Sequence, residues 1–250
     1  MTTPALSRAV RGKGRHYEDP VTGQLVPSVT NVIGALNKPA LPRWAAKVVA
    51  EQAVALAGSL QNLDPAEAID LLKGSPWRSS TRAADRGTTI HDRLEQITLG
   101  REPDGPLTGE AVEFAGGIDA FLKAHDVRPW HTEVTMFGDG YAGTADFLGT
   151  VDDVPVVMDY KTGKGLYPEV ALQLTALRYA ERMVVDGEVR DVPPTDHGLA
   201  VLITKSGYKI AKVEDPVGAM LAFESLLAVR LWQLEEGDVL GDWPFGKDAS

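Results

Sequence analysis

Residues 141–179 read YAGTADFLGTVDDVPVVMDYKTGKGLYPEVALQLTALRY, and the first half of this stretch predicts a β-hairpin. β-Branched and apolar residues fill two runs, 142–151 and 154–161, on either side of the acidic pair Asp152 and Asp153. The second run is apolar almost without interruption, which is typical of a central strand, although an ordinary exposed hairpin is the alternative. We therefore expect this hairpin to lie inside a sheet.

The same hairpin predicts a pair of facing carboxylates. With the acidic pair at the turn, Asp146 falls directly opposite Asp159, where side chains lie about 5 Å apart at Cβ and like charges repel. A hard divalent cation such as Mg²⁺ converts that repulsion into binding. Lys161 follows Asp159 by two residues and shares its face, whereas Tyr160 points the other way. The pattern predicts two metal-binding carboxylates beside an ammonium group, suited to holding a water and a scissile phosphate.

A helix opened by Pro168 is predicted after the hairpin. Glu169 and Gln173 lie one turn apart on one face of it, near the N-terminus, where an anionic phosphate is favoured. The surrounding positions are apolar, so Gln173 needs a hydrogen-bond partner. An active-site group or DNA is one such partner, and backbone is the other. Lys164, in the loop before this helix, is a candidate phosphate contact.

A helix upstream of the hairpin is predicted to begin at residue 79 or 80 and to end at Gly100. Apolar residues recur at i, i+4 and i+7 from Ile90 and give its buried face, and His91 lies on the adjacent face. A lone histidine in this position is more often structural, and a metal ligand is the alternative.

Three further charged residues are candidates for the same site. Arg82 and Arg86 precede His91 on its helix and either contact phosphate or are simply solvated. Glu133 lies on a predicted strand, 131–137, and either supports the metal ligands or is an acid on the strand surface. The residues alone leave these alternatives open.

Taken in order, the motifs resemble the RecB-type nuclease signature of the PD-(D/E)XK superfamily. The upstream histidine motif is similar to that of the same group, and two N-terminal motifs resemble exonucleases encoded by actinobacterial phages. The resemblance covers roughly residues 15–235. Its motifs are PSVT 27–30, KPAL 38–41, GTTIH 87–91, GTAD 143–146, DYKTG 159–163 and Gln173.

The resemblance implies an α/β fold, with a mixed central sheet of about five strands and helices on both faces. Asp146 and Asp159 would then hold the metal ions together with His91 and the carbonyl of Tyr160. Lys161 would orient or help to deprotonate the attacking water and stabilise charge on the phosphoryl group. Gln173 would belong to the same catalytic set.

The activity implied is that of a Mg²⁺- or Mn²⁺-dependent DNA exonuclease with two ions, acting on linear DNA with free ends in phage recombination or replication. Further copies of the chain and a single-strand annealing recombination protein are partners that the resemblance admits, and no residue establishes either of them. In this family a tyrosine usually follows the glutamine by four residues. Here Leu177 occupies that place and Tyr179 comes two later, so Tyr179 is, with Glu169, only a candidate supporting residue.

Two rival functions remain. A degenerate nuclease fold could hold DNA ends without cutting them, and the presence of Asp146, Asp159 and Lys161 together argues against it. A metal-dependent hydrolase of a small phosphate ester would use the same metal chemistry, so the sequence does not exclude it.

The length of 250 residues and the 44% hydrophobic content allow one sizeable core. We predict one domain over residues 16–236, with an N-terminal helical part over 16–80 and the nuclease core over 81–236. Within this domain the sequence also predicts a helix from Pro42 to about Ala57 that Gly58 ends, a helix over 108–126 despite Gly116 and Gly117, a surface loop over 186–196 with Pro193 and Pro194, and a final helix from Asp215 to about Glu236. Residues 1–15 are predicted to be a disordered basic arm and residues 237–250 a loose tail.

Charge and composition exclude several classes of protein. The net charge is −10, but residues 1–50 hold seven Lys and Arg against two acids, so a basic N-terminal arm either meets a phosphate backbone or is a solvated tail. The chain has no cysteine, which excludes disulfides and cysteine-ligated iron–sulfur clusters. It has no phosphate-binding glycine loop, so no nucleotide cofactor is expected. No apolar run reaches the roughly 18 residues of a membrane helix and no signal peptide begins the chain, so a cytoplasmic protein without membrane contact is expected.

Overall fold

The acidic turn of the central hairpin forms because Asp152 and Asp153 both adopt left-handed backbone conformations, with φ of 52° and 65°. Two consecutive residues of this kind make the turn whose twist matches that of paired strands. The structure is a computed structural model and describes residues 7–10 and 14–234. Its elements, in chain order, are β1 Ser7–Val10, β2 Gly14–Glu18, β3 Leu25–Pro27, α1 Val29–Ile33, α2 Ala40–Ala55, α3 Ala57–Leu60, α4 Pro65–Lys73, α5 Ser75–Thr98, a 3-10 helix Gly109–Phe114, α6 Ala115–Ala124, β4 Val127–Gly138, β5 Tyr141–Val151, β6 Val154–Thr162, α7 Glu169–Arg178, β7 Arg182–Val185, β8 Glu188–Asp191, β9 His197–Thr204, β10 Gly207–Lys212 and α8 Pro216–Leu234.

Seven strands form a mixed sheet in the order β10-β9-β6-β5-β4-β7-β8. Only β6 and β9 pair in parallel among the described strands, and the remaining neighbours are antiparallel. A second, three-stranded sheet has the order β1-β2-β3. The predicted α/β class with a mixed sheet is confirmed, and β6 is a central strand, as the apolar run at its start predicts.

Helices cover both faces of the large sheet. On one face, Ile90 and Leu94 of α5 and Phe121 of α6 pack against β5, β6 and β9 in one apolar cluster. On the other face, α1, α7 and α8 form a second cluster, in which Leu174 and Phe223 are fully buried. The central hairpin therefore lies between two layers of helices.

The sheet has seven strands rather than about five, because β7 and β8 form a hairpin that was not predicted. Strand β8 lies within residues 186–196, which were predicted as a surface loop. Asp186 and Gly187 have φ of 54° and 82° and form the turn between β7 and β8. An Asp-Gly pair is a strong hairpin signal. The neighbouring prolines, Pro193 and Pro194, obscured this signal, yet they lie beyond the end of β8.

The N-terminal helices differ in their bounds from the prediction. Gly58 does not stop the chain's helical course, because α3 includes it. The next helix but one, α5, begins at Ser75 rather than at residue 79 or 80, since Pro76 is favourable in a first helical turn. No residue of α2, α3 or α4 is buried, so these three helices lie at the surface.

The helix predicted over residues 108–126 is divided into a 3-10 helix and α6. Gly117 lies at the start of α6, where a Cβ atom would fall 2.2 Å from the carbonyl oxygen of Thr204. Only a residue without a side chain allows α6 to approach the β9–β10 turn this closely. The helix-weakening glycine is thus needed for packing.

Part of the N-terminal arm is a strand. Ser7–Val10, predicted as disordered, forms β1 and pairs with β2. The rest of the predicted basic arm up to residue 13, the predicted end of α8 at Glu236 and the tail 237–250 lie outside the described residues.

By length and composition α8 could span a membrane, since it has 19 residues and a mean hydropathy of 1.3. The helix contains Glu224 and Arg230, so it does not contradict the expectation that no unbroken apolar run reaches about 18 residues, and the cytoplasmic location stays a prediction. Phe223 and Leu227 of α8 are buried against the sheet, whereas Val217, Leu221 and Trp232 are exposed.

A partly buried ion pair connects the turn that follows β2 to β7, and it gives the first testable prediction. Both guanidinium nitrogens of Arg182 donate to Asp19, over 2.9 and 2.8 Å. This pair, with further hydrogen bonds from the backbone of Val21 and Thr22, holds the pKa of Asp19 well below its usual range. Asp19→Asn should therefore lower the free energy of unfolding by about 2 kcal/mol at pH 7.

The pH dependence follows from the direction of the shift. Because the folded-state pKa of Asp19 lies below its unfolded value of 3.8, the stabilisation is present above that pH and is lost as the pH falls below it. Urea denaturation at pH 7 and at pH 3 should show a smaller difference between wild type and variant at pH 3. Glu188→Gln, which removes an exposed ion pair with Arg190, should leave the free energy of unfolding unchanged at both pH values. An equal loss for Asp19→Asn at both pH values would contradict this account.

Candidate metal centre

The predicted register of the central hairpin is confirmed, and it stops one step before the two aspartates. Val151 pairs with Val154, and the ladder continues to Phe147 and Met158. At the next position, the Asp146 carboxylate accepts a hydrogen bond from the backbone N–H of Tyr160, over 2.8 Å. This side-chain bond replaces a ladder bond, so the strands separate where the carboxylates lie.

Strand β4 pairs with the edge of β5 that faces away from β6, and it places Glu133 opposite Asp146. Its neighbours Thr132 and Val134 pair with Phe147 and Ala145, which sets the two acids in register, but the pairing is interrupted between them. Glu133 has φ of 47°, a left-handed conformation that costs a side-chain-bearing residue about 1–3 kcal/mol.

In β4 and β5, the regular alternation of side chains between the two faces of the sheet is broken at these two acids. Thr132 donates to Glu95 of α5, whereas Val134 packs in the cluster formed by α1, α7 and α8. On β5, Phe147 belongs to the α5 and α6 cluster and Ala145 to the other. The break in alternation directs the side chains of Glu133 and Asp146 towards α5.

His91 of α5 completes a group that we call the metal cluster: His91, Glu133 and Asp146. One ligand atom from each residue lies within 4.8 Å of the other two. His91 Nδ1 is 3.3 Å from an Asp146 oxygen, and its ring packs edge-on against Tyr160 with centroids 5.9 Å apart. Hard carboxylate oxygens with one imidazole fit Mn²⁺ well and Mg²⁺ less closely.

The electrostatics of the metal cluster favour a cation. Burial, then the charges of Asp146 and Glu95, raise the pKa of Glu133 to about 8. Burial and Asp146 also raise the pKa of Asp159 to about 6, against the opposing effect of Lys161. A divalent ion among these carboxylates would relieve their mutual repulsion and restore their ionised form.

A second group, which we call the lysine network, consists of Asp159, Lys161 and Gln173. Gln173 donates to one Asp159 oxygen over 2.7 Å and accepts from the Lys161 ammonium over 3.2 Å. The ammonium also contacts the other Asp159 oxygen, Oδ2. That buried oxygen forms an ion pair but has no hydrogen bond of normal geometry within the described part of the chain, so it retains lone pairs for a ligand.

The lysine network resolves an alternative that the sequence left open. The side chain of Gln173 bonds to Asp159 and Lys161, not to backbone. Asp159 and Lys161 share a face, while the Tyr160 side chain is buried in the opposite cluster, as predicted. The contact that the structure shows for the Tyr160 backbone is the N–H bond to Asp146, and metal binding by its carbonyl stays a prediction.

Glu133 is a residue for which the interpretation as a surface acid is wrong, because it is half-buried in the metal cluster. A signal for this position exists in the sequence. Asp139 and Gly140 form the β4–β5 turn, with Gly138 paired to Tyr141. Counting back along both strands from an Asp-Gly turn places Glu133 opposite Asp146.

Two of the predicted phosphate contacts, Arg82 and Arg86, lie on α5. Arg86 forms an ion pair with Glu110 over 2.6 Å and lies over the ring of Phe114, so its charge is already balanced. Arg82 lines a separate cavity of about 220 Å³ together with Arg86. The interpretation of Arg86 as simply solvated is therefore wrong, whereas a phosphate contact by Arg82 or Arg86 stays a prediction.

The remaining candidates divide between two cavities. Lys164 and Glu169 line a cavity that also contains Lys161 and Gln173. Tyr179 does not lie there, because it follows the last residue of α7 and lines a different cavity with His197. The structure therefore does not bring Tyr179 to the site.

Comparison with known proteins gives no match of either kind. No family model matches this chain, and no curated protein matches its sequence. The similarity to the RecB-type signature thus rests on the motifs alone, and the functional proposal below rests on the geometry of the metal cluster and the lysine network.

Proposed function

We propose that this chain is a divalent-metal-dependent deoxyribonuclease that hydrolyses phosphodiester bonds at the ends of linear DNA. The observation that carries the proposal is the meeting of the metal cluster and the lysine network where β5 and β6 separate. A structural role accounts poorly for this arrangement, since three carboxylates, Glu133, Asp146 and Asp159, repel one another there.

In the proposed reaction, Mg²⁺ or Mn²⁺ would be held by the metal cluster and by Asp159. A bound ion would supply a water of lowered pKa and would stabilise negative charge on the phosphoryl group. Lys161 orients that water and balances the charge that develops on the phosphoryl oxygens. Gln173 fixes both Asp159 and Lys161 through its amide, so that neither turns away from the reacting atoms.

An activity at DNA ends is favoured over cutting within a duplex by the charge of the protein. With a net charge of −10, the chain offers little for gripping long stretches of backbone. The setting proposed with this activity is phage recombination or replication in the host cytoplasm, with further copies of the chain and a single-strand annealing protein as partners. That setting comes from the motif resemblance alone.

Labelled linear and covalently closed circular DNA, incubated with the protein in Mg²⁺, Ca²⁺ or EDTA, test this proposal. We expect short products from linear DNA in Mg²⁺ only, with the circles intact. Efficient linearisation of circles would contradict the requirement for an end. DNA binding without cutting in every metal would favour a binding module, and cutting of a small phosphate ester but not of DNA would favour the small-molecule hydrolase.

A third prediction concerns the number of ions. Asp146 and Asp159 can hold one ion between them, whereas a second ion, about 4 Å away, would need both other members of the metal cluster, His91 and Glu133. We expect calorimetric titration with Mn²⁺, in the presence of DNA, to give two ions for wild type and one for His91→Ala, which also loses most of its activity in Mg²⁺. His197→Ala, which changes a histidine of a different cavity, should bind two ions. Equal stoichiometry and activity in His91→Ala and wild type would return His91 to a structural role.

A further inference from the structure

A cavity of about 300 Å³ lies directly beside the lysine network, and Lys161 and Gln173 form part of its wall. Its volume is at the lower end of the range of about 300–1,000 Å³ found for small-molecule sites. The loop that joins β6 to α7 and the segment around α1 form its walls. A single nucleotide is the size of ligand that suits this cavity, while a DNA duplex is too wide to enter.

The charge of the cavity is positive in a protein of net charge −10. Lys38, Lys161 and Lys164 line it, against a single acid, Glu169. Glu169 forms an ion pair with Lys38 over 3.3 Å, and Lys161 contacts Asp159. Lys164 has no ion-pair partner within residues 14–234, so its ammonium is available to a phosphate.

An exposed aromatic ring also borders the cavity. Tyr167 belongs to the loop before α7, and 60% of its surface is exposed. Single exposed aromatic residues are common and need no explanation. Here the ring lies in one cavity with a catalytic lysine and a free ammonium group, which is the combination that proteins use to bind single-stranded nucleic acid: a ring for the base and cations for the backbone.

We propose that this cavity receives the nucleotide adjoining the scissile phosphate, with its base stacked on Tyr167 and a neighbouring phosphate on Lys164. Within a duplex, each base is stacked on its neighbours and paired, so its face is not free for a protein ring. The substrate is therefore an unpaired end: single-stranded DNA, or a duplex with a single-stranded extension. This inference rests on the proposed nuclease function and adds the substrate class to it.

The strand preference and the variants have definite expected sizes. Wild type should act on single-stranded ends at least about 10-fold more efficiently than on blunt ends, because unpairing opposes entry of a duplex end. Tyr167→Ala should lower kcat/KM on single-stranded ends about 10- to 100-fold, since one stacking contact is lost. Tyr167→Phe keeps the ring and should stay close to wild type. Tyr179→Ala, which removes a half-exposed tyrosine of the other cavity, is the matched control and should not differ from wild type.

The experiment has a cleavage arm and a binding arm. In the first, duplexes with blunt ends, 5′ extensions or 3′ extensions and a single-stranded oligonucleotide are digested in Mg²⁺ by the four proteins. In the second, an oligonucleotide with 2-aminopurine near its end is bound in Ca²⁺, without cutting. Stacking of this base on a ring quenches its fluorescence, so we expect quenching by wild type and Tyr167→Phe and little by Tyr167→Ala.

The two arms separate the failure of this inference from the failure of the nuclease function. If wild type cuts DNA but prefers blunt ends, or if Tyr167→Ala equals wild type in both arms, the nucleotide site is wrong and the nuclease proposal stands. If no protein cuts DNA and the ring-dependent quenching remains, the cavity binds an unpaired base and the nuclease proposal fails. Absence of both cutting and quenching overturns both.

Discussion

Asp159→Asn is expected to reduce DNA cleavage in Mg²⁺ by about 10³-fold or more, while the folded structure is retained. The substitution removes a buried ligand oxygen and the ion pair with Lys161, but an asparagine oxygen can still accept the hydrogen bond from Gln173. Because packing and this bond survive, circular dichroism and the melting temperature should show a folded protein. Initial rates on an end-labelled single strand measure the loss.

Two comparisons make this result specific. Asp196→Asn alters a carboxylate of the separate cavity that Tyr179 and His197 line, and this variant should cut DNA as wild type does. Lys161→Met should lose as much activity as Asp159→Asn, yet it should keep its affinity for Mn²⁺, since all the carboxylates remain. A folded Asp159→Asn protein that cuts DNA at a rate near that of wild type would remove the hairpin from the active site.

Glu133→Gln is the second substitution with a large expected effect, and it acts on activity and on stability in opposite directions. The amide has one oxygen and no charge, so we expect weaker Mn²⁺ binding and about 10²-fold slower cleavage. In EDTA, the same change should stabilise the protein at high pH, because it removes a crowded, half-buried carboxylate from the metal cluster.

The raised pKa of Glu133 also makes the stability of the metal-free protein depend on pH. The pKa of Glu133 is raised to about 8 from its ordinary value of 4.5, so the folded protein without metal binds an extra proton between these values. Its stability therefore falls as the pH rises from about 4.5 through 8, and Glu133→Gln should lack this part of the decline. Melting temperatures of both proteins in EDTA from pH 5 to pH 9 measure it. Parallel curves would show that Glu133 is not in the crowded environment that the cluster requires.

The sequence was sufficient to predict the part of the site that lies within a single hairpin, but not the part that depends on a second turn. The acidic turn at Asp152 and Asp153 was sufficient to place Asp146 near Asp159, because register follows from the turn. It was not sufficient for Glu133, whose place depends on a second turn and on a left-handed residue that breaks the alternation of β4. No periodic pattern indicates such a break.

Other features depended on contacts between distant parts of the chain. The hydrogen bonds of Gln173 to Asp159 and Lys161 join α7 to β6, and a helix pattern alone left backbone as an equal alternative. Arg86 is paired by Glu110 of the following 3-10 helix. Gly117 reads as a weak point in a helix, although its role is to admit the carbonyl of Thr204. In each case, local preference was outweighed by tertiary packing.

The most direct test of the central claim locates the ion on the protein without using catalytic activity. Fe²⁺ takes the place of Mg²⁺ in carboxylate and imidazole sites, and with ascorbate and peroxide it generates radicals that cut the nearby polypeptide backbone. We predict cuts near Glu133, Asp146 and Asp159, identified by mass spectrometry, that excess Mn²⁺ suppresses and that Asp146→Asn abolishes. Cuts confined to other segments, or cuts at these strands that persist unchanged in Asp146→Asn, would contradict the assignment of the metal centre.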